Sequence, residues 1–177
     1  MKITKKLLLR KNDFKPSFAN WKVGGVFNPA AIRMHNKKIF LYARVAESSE
    51  THGSSALHCP IITSKEDYEA VNERVSKEQV VGHDRNVIYL KSGICRLTNL
   101  SHFRKVILSE EGIKINEISN VPSFTGKPYD GEFGVEDPRI VQIGKKYYMT
   151  YVAISKREGI STALAESLDL EHWQRRG

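Results

Sequence analysis

The chain carries one short pattern twice: a polar residue followed by proline, a strand, a tight turn and a second strand. The copies open at Asn28-Pro29 and at Asp137-Pro138 and run to about residue 44 and residue 152. Pairs of strands that repeat in this way are typical of β-propeller blades. The repeat therefore predicts an all-β fold with two blades. The change from an amide at Asn28 to a carboxylate at Asp137 indicates that this position is put to chemical use.

The length of the chain sets how much of a propeller it can form. With 177 residues and 40% hydrophobic content, it is large enough for a single propeller-type domain spanning 1–177. We predict a basic arm at 1–22, blade one at 24–108 and blade two at 134–177. Because propellers close with about 4 to 8 blades, two blades form a partial propeller. Its uncovered strand edges and blade faces favour association, so we expect a homo-oligomer or a complementing chain.

The segment 47–85 interrupts blade one with polar sequence, and we interpret it as a partly helical insertion. Ser64 followed by acidic residues is typical of a helix N-cap, which predicts a short helix over residues 64–71. Three of the six histidines lie in this segment, at His52, His58 and His83. Their spacing matches no known pattern of metal ligands, so we expect no metal site.

Charge and cysteine content limit the choice of partners and location. The formal net charge of +8, from 28 Lys and Arg against 20 Asp and Glu, favours anionic partners. The lysines are scattered and no nucleic-acid reader motif is present, so we expect a solvated basic surface rather than nucleic-acid binding. Cys59 and Cys95 lack CxxC spacing and predict the reduced thiols of a cytoplasmic protein. No stretch approaches the roughly 20 apolar residues of a membrane span, so we expect no membrane contact.

The run Gly134-Val135-Glu136-Asp137-Pro138-Arg139 carries the sharpest chemical signal. Successive side chains of a strand point to opposite faces, so Glu136 and Asp137 are not expected to face the same site. Asp137 matches Asn28 in the repeat and is predicted to face the central channel. A carboxylate there can act as a general acid if its surroundings raise its pKa. Alternatively, Asp137 only accepts backbone N–H groups where the blade begins.

Four motifs taken together resemble glycoside hydrolase family 130. They are Gly25-Val26-Phe27-Asn28-Pro29-Ala30, Leu41-Tyr42-Ala43-Arg44, the run from Gly134 to Arg139, and Ala163-Leu164-Ala165-Glu166-Ser167 with His172-Trp173. That family contains β-mannoside phosphorylases and related β-mannosidases on a five-bladed β-propeller. The resemblance covers the chain from about residue 24 to its end, apart from the insertion, and it corresponds to the N-terminal part of the family's fold.

The resemblance implies a role for four residues. Asp137 corresponds to the proton donor of the family, and Asn28 to a residue that contacts the sugar at the cleaved end. Arg44 corresponds to an arginine that helps to bind phosphate. Arg139 lies beside the acid, where it either contacts the substrate and orients the acid or is a structural arginine.

The resemblance also implies a reaction, namely inverting phosphorolysis of a β-mannoside oligosaccharide to mannose 1-phosphate. Family phosphorylases are described as passing the proton of the acid through a sugar hydroxyl. Inverting hydrolases need a second carboxylate to activate water, whereas phosphate is already an anionic nucleophile. Phosphate would be a co-substrate, and no cofactor is expected. The alternative is a non-catalytic carbohydrate-binding or assembly module derived from the same fold.

Overall fold

The computed structural model describes residues 5–49 and 57–177. Within these ranges the chain is built from β-strands, with short 3-10 turns at Lys11–Asp13 and Lys77–Gln79. The strands are β1 Trp21–Arg33, β2 Ile39–Ser49, β3 Leu57–Ile62, β4 Ala70–Val75, β5 Val80–His83, β6 Val87–Leu90, β7 Cys95–Leu97, β8 Leu100–Leu108, β9 Ile115–Ile118, β10 Val135–Ile143, β11 Lys146–Ser155, β12 Gly159–Ser167 and β13 Gln174–Arg175.

Two of the sheets have the form of propeller blades. Blade one has the strand order β1-β2-β8-β9, and blade two has the order β10-β11-β12-β13. All neighbouring strands in both sheets are antiparallel. The all-β, propeller-type fold predicted from the repeat is confirmed, and the two copies of the repeat form the first two strands of each blade.

The two blades pack face to face around one apolar core. Tyr42 of β2 and Phe103 of β8 lie in this core against Met149 and Tyr151 of β11. The Tyr42 hydroxyl donates a hydrogen bond to the carbonyl of Leu170 and accepts one from Trp173 Nε1, at 3.4 Å. Burial is the main reason that the pKa of Tyr42 is raised far above its usual value. The tyrosine thus contributes both apolar area and hydrogen bonds to the contact between the blades.

The other face of blade one is covered by the segment that precedes β1. Leu8, Leu9 and Phe14 pack against Leu41 and Val45, whose side chains leave β2 on the face opposite Tyr42. Strand β2 is therefore apolar on both faces, because alternate side chains enter two different cores. Burial of each large apolar side chain contributes about 1.5 to 3 kcal/mol.

A buried ion pair also joins the N-terminal segment to blade one. Arg104 Nη2 donates to Glu47 Oε1 at 2.9 Å, and both side chains are fully buried. Glu47 also accepts hydrogen bonds from the backbone N–H and the hydroxyl of Ser17. The neighbouring His102 is fully buried, and burial together with Arg104 lowers its pKa well below the usual value. The carboxylate of Glu47 therefore has both a countercharge and hydrogen-bond donors.

The chain between β2 and β8 forms two small sheets outside the blades. Strands β3 and β4 form a hairpin, and β5, β6 and β7 form a three-stranded sheet. The insertion was predicted at 47–85, but β2 of the blade continues to Ser49, and the strands of the small sheets continue to Leu97. His52 lies outside the described residues. The helical content of this region is the single turn Lys77–Gln79, so far as the structure describes it.

The helix predicted over residues 64–71 is wrong. The hydroxyl of Ser64 does accept hydrogen bonds from the backbone N–H groups of Glu66 and Asp67, as in an N-cap. However, Ala70 pairs with Ile62 of β3, so the intervening residues form the connection of a hairpin. The same local hydrogen bonds serve a turn as well as a helix, and strand pairing decides between them.

Candidate active site

The site begins at two matching irregularities, one in each blade. The pairing of β1 with β2 shifts between Phe27 and Ala30, and the pairing of β10 with β11 shifts between Glu136 and Arg139. Such shifts are β-bulges, which redirect side chains. Asn28 and Asp137 lie inside them with φ values of 33° and 51°. Asparagine and aspartate tolerate this left-handed conformation better than most residues. The prolines that follow have no N–H group to leave unpaired.

The two bulges bring three of the predicted site residues together. Asn28 Nδ2 donates to Asp137 Oδ1 at 2.9 Å. Arg44 Nη1, from β2, donates to the same oxygen at 3.1 Å. One carboxylate oxygen thus accepts hydrogen bonds from an amide and from a guanidinium. Asn28, Arg44 and Asp137 form a single polar cluster across the two blades.

Glu136 joins this cluster, contrary to the expectation from strand alternation. Its carboxylate forms an ion pair with Arg44 Nη2 and lies 3.4 Å from Ser101 Oγ. Ser101 in turn accepts a hydrogen bond from Arg44 Nε at 3.1 Å. The prediction that Glu136 and Asp137 face different sites is wrong, because the bulge at Asp137 interrupts the alternation of side chains. The proline after Asp137 is the signal that could have indicated the bulge.

The surroundings shift the pKa values of the two carboxylates in opposite directions. The hydrogen bond from Asn28, followed by that from Arg44, lowers the pKa of Asp137. Burial raises the pKa of Glu136, and Arg44 opposes that shift. The side chain of Asp137 is 37% exposed, against 19% for Glu136. The described residues therefore hold Asp137 as a carboxylate in the absence of substrate.

Arg139 does not contact the acid directly in the described hydrogen bonds. Its Nη1 donates to the carbonyl of Pro138 at 2.8 Å. Its positive charge makes a minor contribution to lowering the pKa of Asp137. Arg139 is thus close enough to act electrostatically, and its guanidinium is bonded to the backbone of its own strand.

Phe27 is a residue at the site that the sequence did not indicate. It precedes Asn28 and is 46% exposed, although it is a large apolar side chain. It is the register partner of Arg44, whose Cζ lies 5.5 Å from the centre of its ring. The polar cluster therefore has an exposed aromatic ring at its edge.

Neither a metal cluster nor a membrane-crossing helix occurs in the part of the chain that the structure describes. No group of three or more His, Cys, Asp or Glu side chains in residues 5–49 and 57–177 is arranged to hold a metal ion. No helix within those ranges is long and apolar enough to cross a membrane.

Comparison with known proteins gives one family and several relatives. Residues 101–177 match the model of glycoside hydrolase family 130, which is described as beta-1,4-mannooligosaccharide phosphorylase. A beta-1,2-mannobiose phosphorylase of Listeria innocua is 28% identical over 174 residues, which are 96% of this chain and 48% of the relative. A beta-1,2-mannobiose phosphorylase of Thermoanaerobacter is 35% identical over 69 residues, or 38% of this chain and 22% of the relative.

Solved structures agree with the sequence comparison. The Listeria innocua phosphorylase, in its complex with beta-1,2-mannobiose, has a TM-score of 0.82 and covers 96% of this chain and 48% of its own. A glycosyl hydrolase of Bacteroides ovatus, 20% identical with a TM-score of 0.52 over 86% of this chain and 31% of its own, shares the fold. The chain thus spans about half the length of the Listeria relative. The resemblance to glycoside hydrolase family 130 predicted from the motifs is confirmed.

Proposed function

We propose that this chain contributes the proton-donating side of a site for the inverting phosphorolysis of β-mannosides, with mannose 1-phosphate as the product. One observation carries the proposal: Asn28 and Arg44 of blade one both bind the carboxylate of Asp137 in blade two. In the resemblance to the family, these three residues correspond to the sugar contact, the phosphate contact and the proton donor. Their convergence is what such a site requires.

In this mechanism Asp137 donates the proton, and the hydrogen bond from Asn28 determines whether Asp137 holds a proton to donate. A proton donor must hold its proton near the working pH, whereas the hydrogen bond from Asn28 lowers the pKa of Asp137. If the amide of Asn28 turns to a sugar hydroxyl, the largest cause of that lowering is removed. The bound sugar also excludes water, which favours the neutral acid. Substrate binding would thus prepare Asp137 for its role, with Arg139 close to the acid and to the substrate.

Arg44 is the proposed contact to phosphate. Its bonds to Ser101, Asp137 and Glu136 use three of its five N–H groups, and the remaining two can donate to an oxyanion. Phosphate needs positioning by cations rather than activation by a base. The two carboxylates next to Arg44 repel an anion, so further cations are needed. We propose that these come from a second copy of the chain or from a complementing chain.

A specific observation also favours a second function. Arg44 is held by two carboxylates, and Asp137 has a lowered pKa. The charges of these side chains balance one another within the cluster. Such a cluster also suits a non-catalytic module that binds a β-mannoside oligosaccharide or takes part in assembly. For either function we propose a cytoplasmic location, where the free thiols of Cys59 and Cys95 would stay reduced.

The test measures phosphate-dependent release of mannose 1-phosphate from a β-linked mannobiose by the assembly in which the chain is purified. The Asp137→Asn variant should lower turnover about 10²-fold or more, because general acid catalysis is lost. Its fold should persist, because Asn28 adopts the same backbone conformation with an amide side chain. Normal turnover by the folded variant would remove Asp137 from the mechanism. Sugar binding without turnover in the wild type would favour the non-catalytic module.

A further inference from the structure

We propose that Phe27 is the platform on which a β-mannopyranose ring stacks, and that it selects the β-anomer. This inference rests on the proposed function and adds a specificity-determining residue to the same site. It starts from the exposure of a large aromatic side chain directly beside the polar cluster of Asn28, Arg44 and Asp137.

The position of Phe27 suits contact with a ligand that also reaches the acid. Phe27 is the neighbour of Asn28 in the chain and the register partner of Arg44 across the sheet. Small-molecule sites typically combine an apolar or aromatic wall with a few convergent polar groups. The Phe27 side chain is 46% exposed, and a sugar that covers the ring would remove that apolar area from water.

The absence of a side chain at Gly25 leaves the space that the Phe27 ring occupies. A Cβ atom at Gly25 would lie 2.1 Å from Cζ of Phe27 and within 3 Å of two further ring atoms. A side chain at this position would have to displace the ring, so the ring keeps its present place only with glycine here. A Cβ atom at the preceding Gly24 would meet only the carbonyl of Ala46, at the ordinary distance of 3.6 Å. Alanine at Gly25 would therefore displace the Phe27 ring, whereas alanine at Gly24 would not, and the second variant is a matched control for the first.

The stereochemistry of mannose explains why such a platform distinguishes the anomers. In a β-linked mannopyranose the axial C–H bonds at alternate ring carbons share one face, and the axial hydroxyl lies on the other. The face with C–H bonds is apolar and can lie flat on an aromatic ring. In an α-linked mannopyranose the glycosidic oxygen is axial on that same face and holds the sugar away from the ring. Phe27 thus favours the β-linkage through shape and desolvation.

The experiment titrates the assembly in which the chain is purified with methyl β-mannoside and methyl α-mannoside and follows binding by NMR. The wild type should prefer the β-anomer, and irradiation of aromatic protons should transfer saturation to its ring protons. Phe27→Ala should lower affinity for the β-anomer about tenfold, with loss of the preference and of the transfer. Phe27→Tyr should retain the affinity, the preference for the β-anomer and the transfer of saturation. Gly25→Ala should reproduce Phe27→Ala because it displaces the ring, and Gly24→Ala should behave as wild type.

The possible results separate the two proposals. If the wild type binds the β-anomer and Phe27→Ala binds it equally well with the same preference, Phe27 is not a platform, whereas the proposed function stands. If Gly25→Ala and Gly24→Ala behave alike, the position of the Phe27 ring does not depend on the space at Gly25. If the wild type binds neither anomer, the proposed function is contradicted and this inference fails with it.

Discussion

Asn28 and Asp137, 109 residues apart in the chain, occupy equivalent bulges of the two blades and are joined to each other by a hydrogen bond of 2.9 Å. The repeat therefore does more than build two similar sheets. It places the same backbone irregularity twice, with an amide in one copy and a carboxylate in the other, and the two side chains complement each other. A donor and an acceptor at equivalent positions link the blades at the site.

The first prediction concerns the acidity of Asp137. Asn28→Ala removes the largest cause of its lowered pKa, so the pKa of Asp137 should rise toward the usual value for aspartate. Carbon-13 NMR of the Asp137 carboxyl group, followed through a pH titration, measures the change directly. The control is Asn36→Ala, at a remote asparagine whose side chain accepts a hydrogen bond from the backbone N–H of Lys38. An unchanged pKa in Asn28→Ala would mean that the hydrogen bond does not set the acidity of the carboxylate.

The second prediction concerns the stability of the fold at low pH. A carboxylate whose pKa is lower in the folded than in the unfolded state stabilises the fold above the unfolded pKa, and the contribution is lost as pH falls through the folded pKa. Asp137 should therefore make the wild type more stable than Asp137→Asn near neutral pH, with a difference that shrinks as the solution is acidified. Urea unfolding of both proteins from neutral to acid pH tests this. A difference that does not depend on pH would contradict it.

The third prediction concerns the buried ion pair below the N-terminal segment. Glu47→Ala leaves the buried guanidinium of Arg104 without its countercharge and should lower the free energy of unfolding by about 3 to 5 kcal/mol. Glu110→Ala breaks the exposed pair with Lys37 and should cost less than about 1 kcal/mol. Urea unfolding compares the two variants. Equal losses would show that the buried pair contributes no more than a surface pair.

The fourth prediction concerns the hydroxyl that connects the blades. Tyr42→Phe removes the donor to the Leu170 carbonyl and the acceptor for Trp173 Nε1, so it should cost about 1 to 3 kcal/mol of unfolding free energy. Among the described residues, Tyr147→Phe removes a single hydroxyl contact, that of 3.5 Å to the sulfur of Met34, and its effect should be small. Thermal and urea unfolding distinguish the two. A Tyr42→Phe variant as stable as wild type would mean that the Leu170 carbonyl and the Trp173 N–H group lose this hydroxyl at no net cost.

The blades could be predicted because their signals are local. Each copy of the repeat contains two strands and a tight turn within fewer than twenty residues, and the strands pair with their neighbours in the sequence. The equivalence of Asn28 and Asp137 was visible for the same reason. The resemblance to a known family then predicted which residues of the two copies take part in a site, and three of them lie together.

The errors arose where the pairing and packing of strands override a local signal. Ser64 satisfies two N–H groups in a turn as it would in a helix, and the sequence around it does not reveal that β3 and β4 pair. Glu136 was assigned to the wrong face because simple alternation assumes an unbroken ladder. Phe27 was missed because its exposure depends on packing at the junction of the blades. Each of these features depends on how strands pair and pack, which the pattern of neighbouring residues does not determine.

The cover that the N-terminal segment provides for blade one also has a consequence for synthesis. A ribosome releases the chain from its N-terminus, so Leu8, Leu9 and Phe14 emerge before the strands that they cover. A nascent blade one can therefore bury one apolar face before any residue of blade two has been made. Only the face with Tyr42 and Phe103 has to wait until Met149 and Tyr151 emerge. The face covered in this way is then unavailable for the apolar contacts through which incomplete chains aggregate.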